Sequence, residues 1–128
     1  KGVEVYSREG HCITCHQPTG EGLPAAQFPP LAGSQWVTGS SERLTKLVLH
    51  GMTGPVEVKG TRYPGTVPMI PFKHLSDDEI AGVLTYIRNA FGHRASVVTP
   101  AQVQATRKVT QKQTNFYTPE QLLQEHPK

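Results

Sequence analysis

The strongest hydrophobic pattern in the chain begins after Ser76. Apolar residues recur there at the three- and four-residue spacing of a helix with one buried face: Ile80, Val83, Leu84 and Ile87. Ser76 and Glu79 have the spacing of a capping box, in which each satisfies a backbone N–H of the other at a helix start. The pattern therefore predicts a helix that starts at Ser76, stops at Gly92 and buries this apolar stripe.

Two shorter helices are predicted nearer the N-terminus. One is capped by Ser40 or Ser41, ends at Gly51 and buries a stripe of Leu44, Leu47 and Val48. The other covers residues 2–10, where Val3 and Tyr6 share a face. The stretch 17–33 between them is rich in Pro and Gly, so we expect it to be a loop.

The segment from Tyr63 to Phe72 cannot form a helix, because it contains Pro64, Pro68 and Pro71. Proline fixes one backbone angle and disfavours the helical conformation in the residue before it. The segment is therefore predicted to be an extended and stiff loop.

Residues 93–128 carry two helix-start signals, in which Pro follows Thr99 and Thr118. Between them the chain is rich in Gln and Thr and poor in apolar residues. We expect an extension that partly wraps the preceding domain and ends in a short helix around Leu122 and Leu123; a disordered tail or an interdomain linker is the alternative. The predicted organisation is a domain over 1–92 and an extension over 93–128.

The composition bounds the size of the core and excludes two classes of partner. A chain of 128 residues suits one domain, and its 36% of hydrophobic residues is low for a core built from side chains alone. A large apolar cofactor would make up the shortfall. The net charge of +3 comes from scattered basic residues, so nucleic-acid binding is not expected. No apolar stretch approaches the roughly 20 residues of a membrane span.

The only two cysteines lie in the motif Cys12-Ile13-Thr14-Cys15-His16. This is the attachment signature for c-type haem, in which two thiols reach the two vinyl groups and the next residue places an imidazole under the iron. A thioredoxin-like redox pair would follow a buried strand, which is not evident here, and a zinc site would need four ligands. We therefore expect one haem c, attached through Cys12 and Cys15, with His16 as the proximal metal ligand.

The second axial metal ligand is predicted to be Met69, which the stiff proline-rich loop would present to the other face of the haem. A thioether binds iron weakly, so a preorganised loop favours the bond. A gap-filling role in the core is the alternative for Met69. Met52, at the end of a predicted helix, is the second candidate ligand. The remaining histidines lack ligand spacing and are expected to be exposed or satisfied polar groups: His11, His50, His74, His93 and His126.

These features, in their order, resemble those of class I cytochromes c, especially the bacterial monohaem domains that accompany or are fused to exported dehydrogenases and oxidases. The matching motifs run from Gly2 to Gly92: the haem motif, Pro29-Pro30-Leu31-Ala32-Gly33-Ser34, Trp36-Val37, Leu47-Val48-Leu49-His50-Gly51, Gly54-Pro55, the segment from Tyr63 to Phe72, and Leu75-Ser76-Asp77-Asp78-Glu79-Ile80. One departure is that Met69 lies six residues after Tyr63, whereas relatives often have it four residues after the tyrosine. The resemblance implies an all-α fold of three to five short helices around one covalent haem.

Further site residues follow from the resemblance and from side-chain chemistry. In similar proteins a proline carbonyl accepts a hydrogen bond from the proximal histidine, which assigns that role to Pro30. Trp36 and Tyr63 are candidates to hydrogen-bond a haem propionate, with plain packing as the alternative. Leu44, Leu47, Ile70 and Phe72 are expected to line the haem. The helix after Ser76 should cross the N-terminal helix, so that Gly2, Val3 and Tyr6 lie near Leu84 and Ile87.

The predicted function is one-electron transfer by His- and Met-ligated haem, as a shuttle or as a domain of a larger oxidoreductase. The partners would be redox proteins, among them a fused or cognate dehydrogenase or oxidase. A haem protein with an open distal site, used for ligand sensing or peroxide chemistry, is one alternative, and a thiol–disulfide protein is another. Haem c implies a periplasmic or otherwise exported protein, and because Lys1-Gly2-Val3-Glu4 is no signal peptide, we expect the export signal to have been removed upstream.

Overall fold

The structure is a computed structural model that describes residues 6, 20, 22, 31, 33–53, 56–58, 61–63, 71–73, 75–91, 93–111, 113 and 116–126. Within these residues it contains five helices and a two-stranded ribbon: α1 (Gln35–Thr38), α2 (Ser41–His50), β1 (Val56–Val58), β2 (Thr61–Tyr63), α3 (Asp77–Asn89), α4 (Pro100–Val109) and α5 (Pro119–Glu125). The mainly helical architecture expected from the sequence is confirmed, and the ribbon is an addition to it.

Helix α2 lies at the centre of the fold. The Ser40 hydroxyl accepts the N–H of Arg43 at 3.1 Å, and Gly51 follows the helix with a φ of 78°, a left-handed conformation that favours glycine. Both predicted ends are confirmed. Every residue from Arg43 to His50 is buried, because α1, α3, α4 and α5 all contact this helix. Burial therefore extends well beyond the single apolar stripe that the sequence predicts.

The capping box of α3 is formed as predicted. The Ser76 hydroxyl accepts the N–H of Glu79 at 3.1 Å, and the Glu79 carboxylate accepts the N–H of Ser76 at 2.9 Å. The predicted stripe is buried along the helix: Ile80, Val83, Leu84 and Ile87. The predicted stop at Gly92 is wrong, because α3 ends at Asn89.

Phe91 explains the earlier end of α3. Its φ of 57° lies in the left-handed region, which is unfavourable for a bulky residue. Its ring packs against Tyr6 at 5.9 Å and against Tyr86 at 5.9 Å between centroids, and this packing offsets the backbone cost. Tyr6 also contacts Tyr86 at 5.4 Å. The N-terminal segment thus meets α3 at Tyr86, while the rest of the predicted helix over 2–10 lies outside the described residues.

The antiparallel ribbon pairs β1 with β2 in the register Val56 with Tyr63, Glu57 with Arg62, and Val58 with Thr61. The sequence analysis missed it. The signal is present, because β-branched and aromatic residues flank the two-residue connection Lys59-Gly60, a spacing typical of a hairpin. Each strand has only three residues, so the pattern is too short to stand out beside the helical stripes.

The predicted helix starts at Thr99 and Thr118 are confirmed, and each forms a capping box, with Gln102 and Gln121 respectively. Helix α4 packs on α2 and α3, and α5 packs on α2. Between α4 and α5, the backbone of Tyr117 pairs with the residues after α2. Its N–H donates to Gly51 O at 3.1 Å, and its carbonyl accepts the N–H of Thr53 at 2.9 Å. Helices α4 and α5 therefore cover part of α2, while the division of the chain at residue 92 stays a prediction.

Polar contacts also tie the C-terminal segment to the helices before it. Lys46 of α2 forms an ion pair with Glu125 of α5 at 2.9 Å. Arg88 of α3 is buried and donates from Nε to Ser96 O at 2.9 Å, and from Nη1 to Val37 O and Gly39 O, each at 2.9 Å. Lys46 and Glu125 are far apart in sequence, so α5 adds to the fold that precedes it, while Arg88 joins α1 and the residues just after α3 to one another.

Replacing Leu122 by alanine should lower the free energy of unfolding by about 2–5 kcal/mol, because its side chain is 0% exposed in the contact between α5 and α2. Leu123→Ala is the matched control, because Leu123 is the next residue and is only half-buried. Its loss of unfolding free energy should be less than half that of Leu122→Ala. Chemical denaturation of the haem-loaded protein measures both. Equal, small losses would show that α5 adds little to the stability of the fold.

His50 is a buried histidine at the contact between α2 and α4. Its Nε2 lies 2.7 Å from the Thr110 hydroxyl, which itself donates to Thr106 O at 2.7 Å. The hydroxyl proton is thus committed, so His50 donates from Nε2 and its Nδ1 is unprotonated, without a hydrogen-bond partner. Burial, and then the charges of Lys73 and Arg107, lower the pKa of His50 from 6.5. The folded protein therefore holds this ring neutral.

The free energy of unfolding should fall as the pH drops below about 6.5. The unfolded chain takes up a proton at His50 before the folded chain does, so stability present above the unfolded pKa is lost as the pH falls towards the folded one. His50→Gln keeps an N–H donor for Thr110 and does not titrate, so its loss over the same pH range should be smaller. Denaturation curves at several pH values test this, and parallel pH profiles for the two proteins would contradict it.

Candidate functional site

Helix α2 supplies the apolar wall of the candidate site. Leu44 and Leu47 are three residues apart, so they lie on one face of the helix, and both are buried, with 3% and 6% of their surfaces exposed. Their place on a capped helix at the centre of the fold fixes their positions. Both were predicted to line the haem, and both belong to the hydrophobic core of the described residues.

Phe72 joins this wall from the far end of the predicted ligand loop. Its backbone N–H donates to the carbonyl of Val48 at 3.0 Å. The last carbonyls of a helix lack a donor within it, so this bond satisfies an otherwise unpaired group on α2. The Phe72 side chain is buried. Met69 precedes Phe72 by three residues in the sequence.

Trp36 lies on α1 beside the start of α2. Its helix is capped by Ser34, whose hydroxyl accepts the N–H of Trp36 at 3.2 Å, and the indole is buried. The guanidinium carbon of Arg43 lies 4.8 Å from the centre of the indole ring, which places a cation on its face. The residue predicted to approach a propionate thus has a positive charge next to it.

Arg43 is a buried cation whose contacts are neutral groups. Only 1% of it is exposed, and it donates to His126 O at 3.0 Å and to Gln35 O at 3.1 Å. Its Nε is buried without a hydrogen-bond partner, and burial lowers the pKa of the guanidinium from its ordinary value. A buried charge is costly unless a group of opposite charge compensates it. Arg43 therefore fits a site that receives a carboxylate, such as a haem propionate.

The sequence analysis did not single out Arg43. A signal exists, because Arg43 precedes Leu47 by four residues and so lies on the same face of α2 one turn earlier. A basic residue in line with an apolar stripe is commonly taken to lay its aliphatic stem on the apolar surface and to keep its charge in water. Only the covering segments, α1 on one side and His126 on the other, show that this one is enclosed.

The structure brings together four of the predicted site residues around α2: Trp36, Leu44, Leu47 and Phe72. The other predicted site residues lie outside the described residues: Cys12, Cys15, His16, Pro30, Met69 and Ile70. Tyr63 is described as the last residue of β2, without its side chain. The predicted roles of all these residues at the haem stay predictions.

Met52, the second candidate ligand, and the remaining histidines have the following contacts in the described part of the chain. Met52 is half-buried, and its backbone pairs with Tyr117. The His93 ring lies 2.9 Å from Ile87 O through Nδ1 and accepts the N–H of Gly33 at 2.8 Å through Nε2, which leaves both nitrogens engaged. His11 and His74 lie outside the described residues. Among the residues that are described, no group of three or more His, Cys, Asp or Glu side chains is placed to hold a metal ion.

The residues present fit a haem c. Two thiols, an imidazole and a thioether are the groups that bind this cofactor. The described residues add the buried apolar side chains of Leu44, Leu47 and Phe72 and a buried cation, Arg43, whose Nε lacks a hydrogen-bond partner. Within the described ranges, no helix has both the length and the hydropathy needed to cross a bilayer.

Comparison with known proteins agrees with this chemistry. The family model for cytochrome c matches residues 1–91. Cytochrome c-552 of Thermus thermophilus is 38% identical, over 99% of this chain and 95% of that protein. The cytochrome c subunit of a quinone alcohol dehydrogenase from Gluconacetobacter polyoxogenes is 36% identical over 83% of this chain, which spans only 22% of that subunit. The cytochrome subunit of fructose dehydrogenase from Gluconobacter japonicus is 27% identical.

The resemblance inferred from the motifs is therefore confirmed, and with it the expectation of an electron carrier. Members of this family carry a covalently attached haem c and transfer electrons. The chain belongs to the cytochrome c family, and it is an electron-transfer protein with haem c as its cofactor.

Proposed function

We propose that this chain carries single electrons on one haem c, attached through Cys12 and Cys15, with His16 and Met69 as the axial ligands. The observation that carries the proposal is the motif from Cys12 to His16, which lies inside the region matched by the cytochrome c family model. The cofactor, when bound, supplies an iron centre that gains and loses one electron. With both axial positions filled by side chains, no substrate reaches the metal.

The described residues support the assignment of Met69. A thioether bond to iron is weak, so the loop that presents it must be held in place by other contacts. The bond from Phe72 to Val48 provides one such contact at the end of this loop. Phe72 also adds its ring to the wall formed by Leu44 and Leu47. The apolar wall excludes water from this side of the site, which favours the less charged, reduced state.

We propose redox proteins outside the cytoplasm as the partners, with a dehydrogenase as the electron donor. Relatives that are cytochrome subunits of an alcohol and a fructose dehydrogenase support this class of donor. The likeness to cytochrome c-552 along nearly the whole chain supports the same class of electron carrier for all of these residues. A periplasmic or otherwise exported location follows from the proposed covalent haem, because such attachment takes place on exported chains.

Met69→Ala should abolish the weak far-red absorption band of sulfur-ligated ferric haem, lower the reduction potential, and allow the ferrous protein to bind carbon monoxide readily. The physical reason is that an axial position is opened when the thioether is removed. Absorption spectra of oxidised and reduced protein, before and after carbon monoxide, measure all three. The covalent haem itself should survive denaturing electrophoresis in the variant.

Met52→Ala is the matched control, since it removes the other methionine of the chain. It should keep the far-red band and exclude carbon monoxide as the wild type does. A band lost in Met52→Ala and kept in Met69→Ala would transfer the ligand role to Met52. A wild-type protein that lacks the band and binds carbon monoxide would instead favour an open distal site.

A further inference from the structure

The guanidinium of Arg107 on α4 donates all of its described hydrogen bonds to one short segment. Its Nε lies 2.6 Å from Oδ1 of Asp77, its Nη1 donates to Lys73 O at 2.9 Å, and its Nη2 donates to Leu75 O. A guanidinium presents its donors in a rigid plane, so three acceptors bound at once fix the segment in orientation as well as in position. One side chain of the C-terminal segment thus holds Lys73, Leu75 and Asp77.

This segment directly follows the loop that carries Met69. On its N-terminal side Phe72 is bonded to Val48 of α2, and Pro71 lies two residues after the methionine. Its carbonyls at Lys73 and Leu75 belong to neither a helix nor a strand, so they need donors from elsewhere. Arg107 supplies these donors, and Lys73 in turn donates to Gln113 O at 3.3 Å.

We propose that the C-terminal segment positions the sixth ligand of the haem, and that Arg107 is the positioning residue through which it acts. The inference rests on Met69 being that ligand. A weak thioether bond forms only when the loop conformation that presents the sulfur is already favoured. Two anchors, Val48 on one side and Arg107 on the other, restrict the end of this loop and lower the entropy lost when the bond forms.

A second ion pair of the C-terminal segment provides a control that separates the proposed positioning role of Arg107 from a general effect on stability. The ion pair between Lys46 and Glu125 also joins this segment to the preceding fold, at 2.9 Å. It links α2 to α5 and forms no hydrogen bond or ion pair with the described residues 71–73 and 75–77. Both ion pairs are partly exposed. The side chains of Lys46 and Glu125 are 10% and 47% exposed, and those of Arg107 and Asp77 are 29% and 34% exposed. Glu125→Gln is therefore a matched control for the loss of one ion pair.

The test measures how well imidazole, added to the ferric haem-loaded protein, displaces the methionine. Arg107→Gln should bind imidazole about tenfold more tightly than the wild type, the effect expected from losing one charge-assisted hydrogen bond at the loop. Arg107→Lys keeps the charge but not the planar set of donors, so its affinity should lie between the two. Glu125→Gln should keep the wild-type affinity, even where its free energy of unfolding falls.

Two outcomes overturn the proposal. One is an unchanged imidazole affinity in Arg107→Gln. The other is a shift in Glu125→Gln as large as that in Arg107→Gln, which would make the effect one of overall stability. If Arg107→Gln does not fold, the comparison of Arg107→Lys with Glu125→Gln decides in the same way. A Met69→Ala variant with a wild-type far-red band would instead remove the ligand assignment, which is a distinguishable failure.

Discussion

The structure depends on the enclosure of one ten-residue helix, α2. A helix of this length is marginal in water, and tertiary packing supplies most of its stability. Here every residue from Arg43 to His50 is buried, so other parts of the molecule must pack on every face of this helix. Leu44 and Leu47 form the wall proposed for the haem, and α4 and α5 pack on α2 from the C-terminal segment. The proposed haem site and the C-terminal segment thus lie against the same helix.

Local signals in the sequence predicted the starts of α3, α4 and α5, through the capping box at Ser76 and the Pro that follows Thr99 and Thr118. All three residues form capping boxes with a Glu or Gln three residues later, and such patterns depend only on neighbouring residues. The four-residue helix α1 was not predicted. The helix end at Asn89 was missed because it depends on Phe91, whose left-handed backbone is stabilised by rings distant in sequence. The ribbon was missed because its strands are only three residues long.

The candidate site was predictable only in part, for a similar reason. The haem motif and the apolar residues of α2 are visible as spacing along the chain. The roles of Arg43 and Arg107 are not visible in this way, because they depend on acceptors that lie elsewhere in the sequence. Arg43 donates to a carbonyl 83 positions away, and Arg107 reaches back 34 positions to Lys73. No periodicity records such contacts, so a basic residue near an apolar stripe gives little indication of its partners.

The bond between Arg43 and His126 has a consequence for the order of assembly. Contacts between residues so far apart close a long loop, and the entropy of that closure makes them form late. The haem motif lies near the start of the chain, whereas α2 becomes fully enclosed only when its last cover, at residues 119–126, arrives. The helix that carries the proposed haem wall therefore gains its last contacts from a segment that is synthesised after the haem motif and after α2 itself.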